Sequence, residues 1–205
     1  MNKLWSFGDS FTKGAGVADP GYQYPMYKGK EHARFTTLLA EEWGMEDCNE
    51  ALNGLSNDMI FDSFMVKYKE ITSGDKVIFG LTKIPRLGVY AECEDHPKTI
   101  FNKTALLDSR IKKFKDLPFG EQWLTYIRKF ASEEYEHTLA MFEFCKETLE
   151  AKNVQCVIWD ASLWKKFTTI AEESRGRHSD YHWGMKGHYD MRNYVKNLFE
   201  EQYNI

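Results

Sequence analysis

The sequence predicts an α/β protein, a three-layer α/β/α sandwich around a central parallel sheet, and three observations carry that expectation. Apolar runs short enough for strands lie at 4–7, 75–82 and 154–160, each bounded by turn-forming residues. Segments of helical period separate them, and strands that alternate with helices pair in parallel through crossover connections. The first run ends in Gly8-Asp9-Ser10-Phe11, a tight turn with a hydroxyl at its tip. In open parallel sheets ligands bind beyond the carboxyl ends of the strands, so Ser10 is the candidate nucleophile. The competing reading is an ordinary strand-to-helix turn, because Gly, Asp and Ser all favour turns for local backbone reasons.

The elements follow in chain order. Leu4-Trp5-Ser6-Phe7 is the first strand, and Pro20 and Pro25 keep 17–29 irregular. Phe35, Leu38, Leu39 and Trp43 recur at helical spacing over 31–43, and Gly44 ends that helix. A short strand is expected at 46–49. Ser56 or Asn57 is placed to cap the next helix, which runs to about 71 with Met59, Ile60, Phe64 and Met65 on its apolar face. The run 75–82 is the clearest buried strand, β-branched and aromatic, with Thr82 at its carboxyl end. Pro85, Pro97 and Pro118 interrupt the next segment, and 85–133 reads as an insertion over one end of the sheet, the usual position of lids and specificity loops. A helix is expected over 121–152 in two pieces meeting near Ser132, then a buried strand at 154–160, then a final helix after Gly184–Gly187 carrying Tyr194, Val195, Leu198 and Phe199.

The chain of 205 residues suits a single domain over 1–205, with no internal repeat or linker. A net charge of −4 gives no broad basic field, so nucleic acid is not an expected partner. The basic stretch at 110–115 is short enough to be a solvated helix face. Four scattered cysteines, 48, 93, 145 and 156, form no C-x-x-C pair and fit a reducing compartment. No apolar stretch is long enough for a signal peptide or a membrane span, so a soluble, cytoplasmic protein without a membrane partner is expected. Nothing in the sequence fixes an oligomeric state. The 15% aromatic content suits either a dense core or a carbohydrate- or acyl-facing surface.

Chemistry concentrates in Ser179-Asp180-Tyr181-His182-Trp183-Gly184 near the C-terminus. A histidine two residues after an aspartate can be held by that carboxylate through one ring nitrogen while the other takes a serine proton. Ser10, His182 and Asp180 then form nucleophile, base and orienter. Asp160, which also ends a strand, is the competing acid. His178, His182 and His188 with Asp180 are the competing metal set, although no pair sits on a regular element at ligand spacing. The remaining histidines, 32, 96 and 137, read as surface residues.

Taken together, these motifs resemble the SGNH, or GDSL-type, hydrolases. Gly8-Asp9-Ser10-Phe11 is similar to the family's first block, Ala51-x-x-Gly54-x-Ser56-Asn57 to its second, and Asp180-x-His182 to its last. The resemblance implies a flavodoxin-like sheet of order 2-1-3-4-5 and an ester hydrolase without cofactor or metal. Ser10 would act as nucleophile and as oxyanion donor through its N–H, with Gly54 N–H as the second donor. It also implies that the strand ends bearing Ser10, Gly54 and Thr82 lie side by side. Two positions depart from the pattern. The family's third block is usually Gly-x-Asn-Asp, and here Gly80-Leu81-Thr82-Lys83 puts a threonine hydroxyl where the asparagine amide would donate. Thr82 packing only its methyl group is the competing reading. Trp183 stands where the family often has proline, and is expected to shape the acyl site. The chain resembles short variants of the family found in bacteriophage genomes, and were it phage-encoded it would be virion-associated. The implied substrate is a short acyl or acetyl ester of a carbohydrate or small molecule, and the alternative is a non-catalytic glycan-binding or structural module on the same fold.

Overall fold

The computed structural model describes residues 1–15, 17, 33–82, 120–160 and 183–204, with backbone alone over 120–134. The insertion expected from 85 therefore lies outside the described residues up to 119. In chain order the elements are β1 (Lys3–Gly8), a one-turn α1 (Ser10–Lys13), α2 (Phe35–Trp43), β2 (Glu46–Asn49), α3 (Asn57–Lys67) with a 3-10 turn at Tyr68–Glu70, β3 (Lys76–Leu81), α4 (Gly120–Glu150), β4 (Gln155–Asp160) and α5 (Met185–Tyr203).

The four described strands form one parallel sheet of order β2-β1-β3-β4, with Leu4 opposite Lys76, Gly8 opposite Gly80, and Gly80 opposite Trp159. That order matches the first four places of 2-1-3-4-5. A fifth strand would fall in 161–182, outside the described residues. Strand side chains alternate between two cores because their period is two. On one face Leu4, Ile78, Val157 and Trp159 meet Phe35 and Leu39 of α2 and Val195 and Phe199 of α5. On the other, Trp5, Phe7, Val77, Phe79 and Cys156 meet Met59, Ile60 and Phe64 of α3 and Phe142 and Leu149 of α4. Helices therefore cover both faces, and the protein is a three-layer α/β/α sandwich. Much of the aromatic content goes into these cores, where Trp5, Trp159, Trp183, Phe7 and Phe79 are fully buried.

Three boundaries differ from expectation. Helix α2 starts at Phe35, because Arg34 is extended (φ −68°, ψ 161°) and its guanidinium reaches Asp47 at 3.1 Å and the Lys13 carbonyl at 3.5 Å. Helix α4 is one element of 31 residues through Ser132, and no Pro or Gly follows Gly120 within it to break the hydrogen-bond ladder. Helix α5 starts at Met185 with Gly187 inside it.

At the amino ends of the strands, Asp75 ties β1 to β3. Its carboxylate, 2% exposed, accepts from Lys3 N at 2.8 Å, Trp5 Nε1 at 3.1 Å and Thr72 N at 3.0 Å. A buried carboxylate with that many donors is satisfied where an unpaired one would be strongly destabilising. No helix among the described residues is long and apolar enough to cross a membrane.

Candidate functional site

At the carboxyl end of β1 the chain turns directly into α1. Asp9 is extended, and its Oδ1 accepts from Phe11 N at 3.0 Å while its carbonyl accepts from Lys13 N at 2.9 Å. This is N-cap chemistry, and it leaves Ser10 as the first residue of the turn, 6% exposed. The turn lies close over the sheet because of two glycines. A Cβ at Gly8 or at Gly80 would collide with Thr12 Oγ1, and at Gly80 also with the Trp159 ring. Missing side chains on neighbouring strands thus set the height of the turn that carries Ser10.

The loop after β2 is held against the same turn. Asn49 donates to Thr12 O at 2.9 Å and to Thr36 Oγ1 at 3.0 Å, and Leu52 N donates to Gly8 O at 3.2 Å. Gly54 follows with φ +77°, and among the described residues a Cβ there would meet nothing within 4 Å. The left-handed backbone by itself favours glycine there. Ser56 occupies the N-cap position of α3 without a capping bond, and Asn57 is the first helical residue, so neither side chain caps as expected. Asn57 instead reaches the end of β3. Its Nδ2 donates to Thr82 O at 2.8 Å, and Thr82 N donates to its Oδ1 at 2.8 Å. Ser10, Gly54 and Thr82 thus follow the ends of three neighbouring strands, with Thr82 2% exposed.

Asp180, His182 and His178 lie outside the described residues. Trp183 does not, and it is a core side chain, 1% exposed. Its ring centroid lies 4.9 Å from that of Phe11 and 5.7 Å from that of Trp159. The residue after His182 therefore packs on the residue after Ser10. A side chain so enclosed fixes the entry to α5 more than it lines an acyl site.

His188 is buried on α5 and accepts the Phe35 N–H at Nδ1, 3.3 Å away, with its ring stacked on Phe35. That bond puts the proton on Nε2 and removes Nδ1 as a metal ligand. Among the described residues no group of three His, Cys, Asp or Glu could hold a metal ion. Asp160 accepts from Tyr135 OH at 2.6 Å, and burial, reinforced by that bond, pushes the Tyr135 hydroxyl well above its usual range. The spacing of His188, Met191, Val195 and Phe199 was a legible helical stripe that assigns His188 to the core. Asp75, Thr12 and the Asn57 contact carried no comparable local signal, since each acts across strands distant in sequence.

A serine at the first strand's end of a parallel α/β/α sheet, with a left-handed glycine and a threonine beyond the flanking strands, is the arrangement this chain builds. The chain matches no protein-family model and no curated protein. Among solved structures it is similar to a lipolytic protein of the G-D-S-L family from Desulfitobacterium hafniense DCB-2, at 14% identity and a TM-score of 0.38 over 97% of this chain and 99% of that one. It is also similar to a carbohydrate esterase whose active site displays divergent catalytic and non-catalytic binding functions, at 11% identity and TM-score 0.41 over 97% and 68%. A third is the lipase/acylhydrolase from Enterococcus faecalis, at 14% and 0.41 over 98% and 97%. The sheet order and layers define its fold.

Proposed function

We propose that the protein is a serine ester hydrolase of SGNH type that removes a short acyl group, such as acetyl, from a carbohydrate or small-molecule alcohol. The observation that carries the reading is the contact between Phe11 and Trp183, 4.9 Å between ring centroids. It sets Trp183, the residue after Asp180-x-His182 in sequence, against Phe11, the residue after Ser10, although the two stand far apart in the chain.

In this reading Ser10 Oγ attacks the acyl carbon as His182 takes its proton, and Asp180 holds the imidazole and stabilises the imidazolium. The oxyanion is met by the N–H groups of Ser10 and Gly54 and by the Thr82 hydroxyl, donors worth roughly 3–4 kcal/mol each by single removal. Collapse expels the alcohol, which leaves with the proton from His182. Water, deprotonated by His182, then cleaves the acyl-enzyme, so ester and water become acid and alcohol.

The test is labelling with a fluorophosphonate and mass mapping of the adduct. Ser10 should carry it, and Ser10→Ala should abolish both labelling and p-nitrophenyl acetate hydrolysis with the fold intact. An adduct on another serine, or none, would overturn the reading and leave the non-catalytic binding module in its place.

A further inference from the structure

We infer that Asn57 is a positioning residue for the oxyanion site, acting through Thr82; this rests on the esterase reading above. Asn57 opens α3 and Thr82 follows β3, and the two are joined by a pair of 2.8 Å hydrogen bonds that use both the donor and the acceptor of the Asn57 amide. A primary amide facing a backbone N–H and C=O reproduces a strand-to-strand pairing, so Asn57 extends the sheet's bonding one residue beyond Leu81. It fixes the backbone of Thr82 from both sides.

The need for such a clamp follows from the residue type. An asparagine at position 82 would place its donor through two side-chain torsions and could absorb a shift of the main chain. A threonine carries its hydroxyl on Cβ, so backbone position and one stiff torsion decide where the oxygen lies. Misplacement by about 1 Å near a reacting centre costs as much as a hundredfold in rate. The shorter donor is usable only if the main chain beneath it is held, and the Asn57 amide holds it.

The experiment measures p-nitrophenyl acetate hydrolysis by the parent, Asn57→Leu, Asn57→Asp, Thr82→Val and the double variant Asn57→Leu/Thr82→Val, with circular dichroism on each. Asn57→Leu should lower kcat roughly ten- to a hundredfold with KM little changed. In the Thr82→Val background it should lower kcat no further, because the group it positions is gone. Multiplicative losses in the double variant, or a loss confined to KM, would mean a structural role and overturn the inference. Should Asn57→Leu fail to fold, Asn57→Asp keeps the acceptor for Thr82 N–H and an acidic first turn suits a helix start. Its kcat is expected between those of the parent and Thr82→Val, and a parental kcat overturns the inference. A parent that neither hydrolyses the ester nor takes the fluorophosphonate sinks the esterase reading and this inference with it. An active parent with an equally active Asn57→Leu sinks this inference alone.

Discussion

Thr12 occupies the space that a side chain at Gly80 would need. The Cβ of an alanine at position 80 would collide with Thr12 Oγ1 and lie 2.8 Å from Cε2 and Cζ2 of the buried Trp159. Neither neighbour can yield easily, since Thr12 is β-branched and fully buried in the turn and Trp159 is 1% exposed.

Gly80→Ala should therefore destabilise the protein by about 1–3 kcal/mol, the usual range for overpacking. Thr12→Ala in the same chain should recover part of that loss, because the two sites share one space. Thermal denaturation of the single and double variants measures both, and a Gly80→Ala protein that melts like the parent would contradict the packing.

The acid of the proposed triad is open to a direct comparison. Asp180→Asn should lower kcat by up to roughly 10⁴-fold. Asp160→Asn should leave turnover near the parental value, because Asp160 is engaged by Tyr135 at 2.6 Å. The reverse result would move the acid role to Asp160. In either case kcat/KM should rise with pH through one histidine-type ionisation, where the base becomes neutral.

The thiols give a test of burial that does not depend on activity. Burial pushes Cys48 up to about 11 and also raises Cys145 and the fully buried Cys156. Because the thiolate is the nucleophile, these three should be unreactive toward Ellman's reagent at pH 8 in native Cys93→Ser protein, and all three should react in guanidinium. Groups raised on folding contribute stability below their unfolded value, about 8.5, and lose it as pH rises. Stability should accordingly fall from about pH 9 to 11, and less steeply in Cys48→Ala. Rapid reaction of the native protein would contradict the packing.

Glu42 joins α2 to α5. Lys196 Nζ lies 2.5 Å from its carboxylate and Arg192 also hydrogen-bonds to it, and these bonds hold the carboxyl below its usual range. A depressed carboxyl contributes stability above its unfolded value, near 4.3, and loses it as pH falls through the folded value. Glu42→Gln should cost at most about 1 kcal/mol at pH 7, and the difference from the parent should fade on acidification toward pH 3 and in high salt. Equal stability at pH 7 in low salt would show the network to be ineffective.

The sheet and both helix layers were legible because apolar period and turn residues are local signals, as in the runs at 4–7 and 75–82. The boundaries that escaped were decided by partners elsewhere. Arg34 is pulled out of α2 by Asp47, and Ser132 starts no helix because nothing stops the one already under way. That the strand ends before Ser10, Gly54 and Thr82 are neighbours was expected from the sheet order the motifs implied, and the order β2-β1-β3 has it so. Asn57 read as a helix cap, since Asn near a helix start usually caps; its bonds to Thr82, 25 residues away, were invisible in the local sequence. Trp183 read as a wall of the acyl site for the same reason, and the burial that makes it core depends on Phe11, Phe35 and Trp159 arriving from other parts of the chain.

Of the four described strands, the earliest in the sequence is an interior one. β1 lies between β2 and β3, and Leu4, opposite Asp47 on β2, gains its partner on the other edge only when Lys76 has been made. At about 5–20 residues per second, an apolar strand with two open edges waits several seconds for its second neighbour. During that interval its unpaired backbone is available to any other extended chain. Synthesis of this sheet therefore has a vulnerable window between β1 and β3, which a chaperone bound to nascent β1 would cover. A stalled nascent chain that ends before Lys76 should remain open to protease at β1.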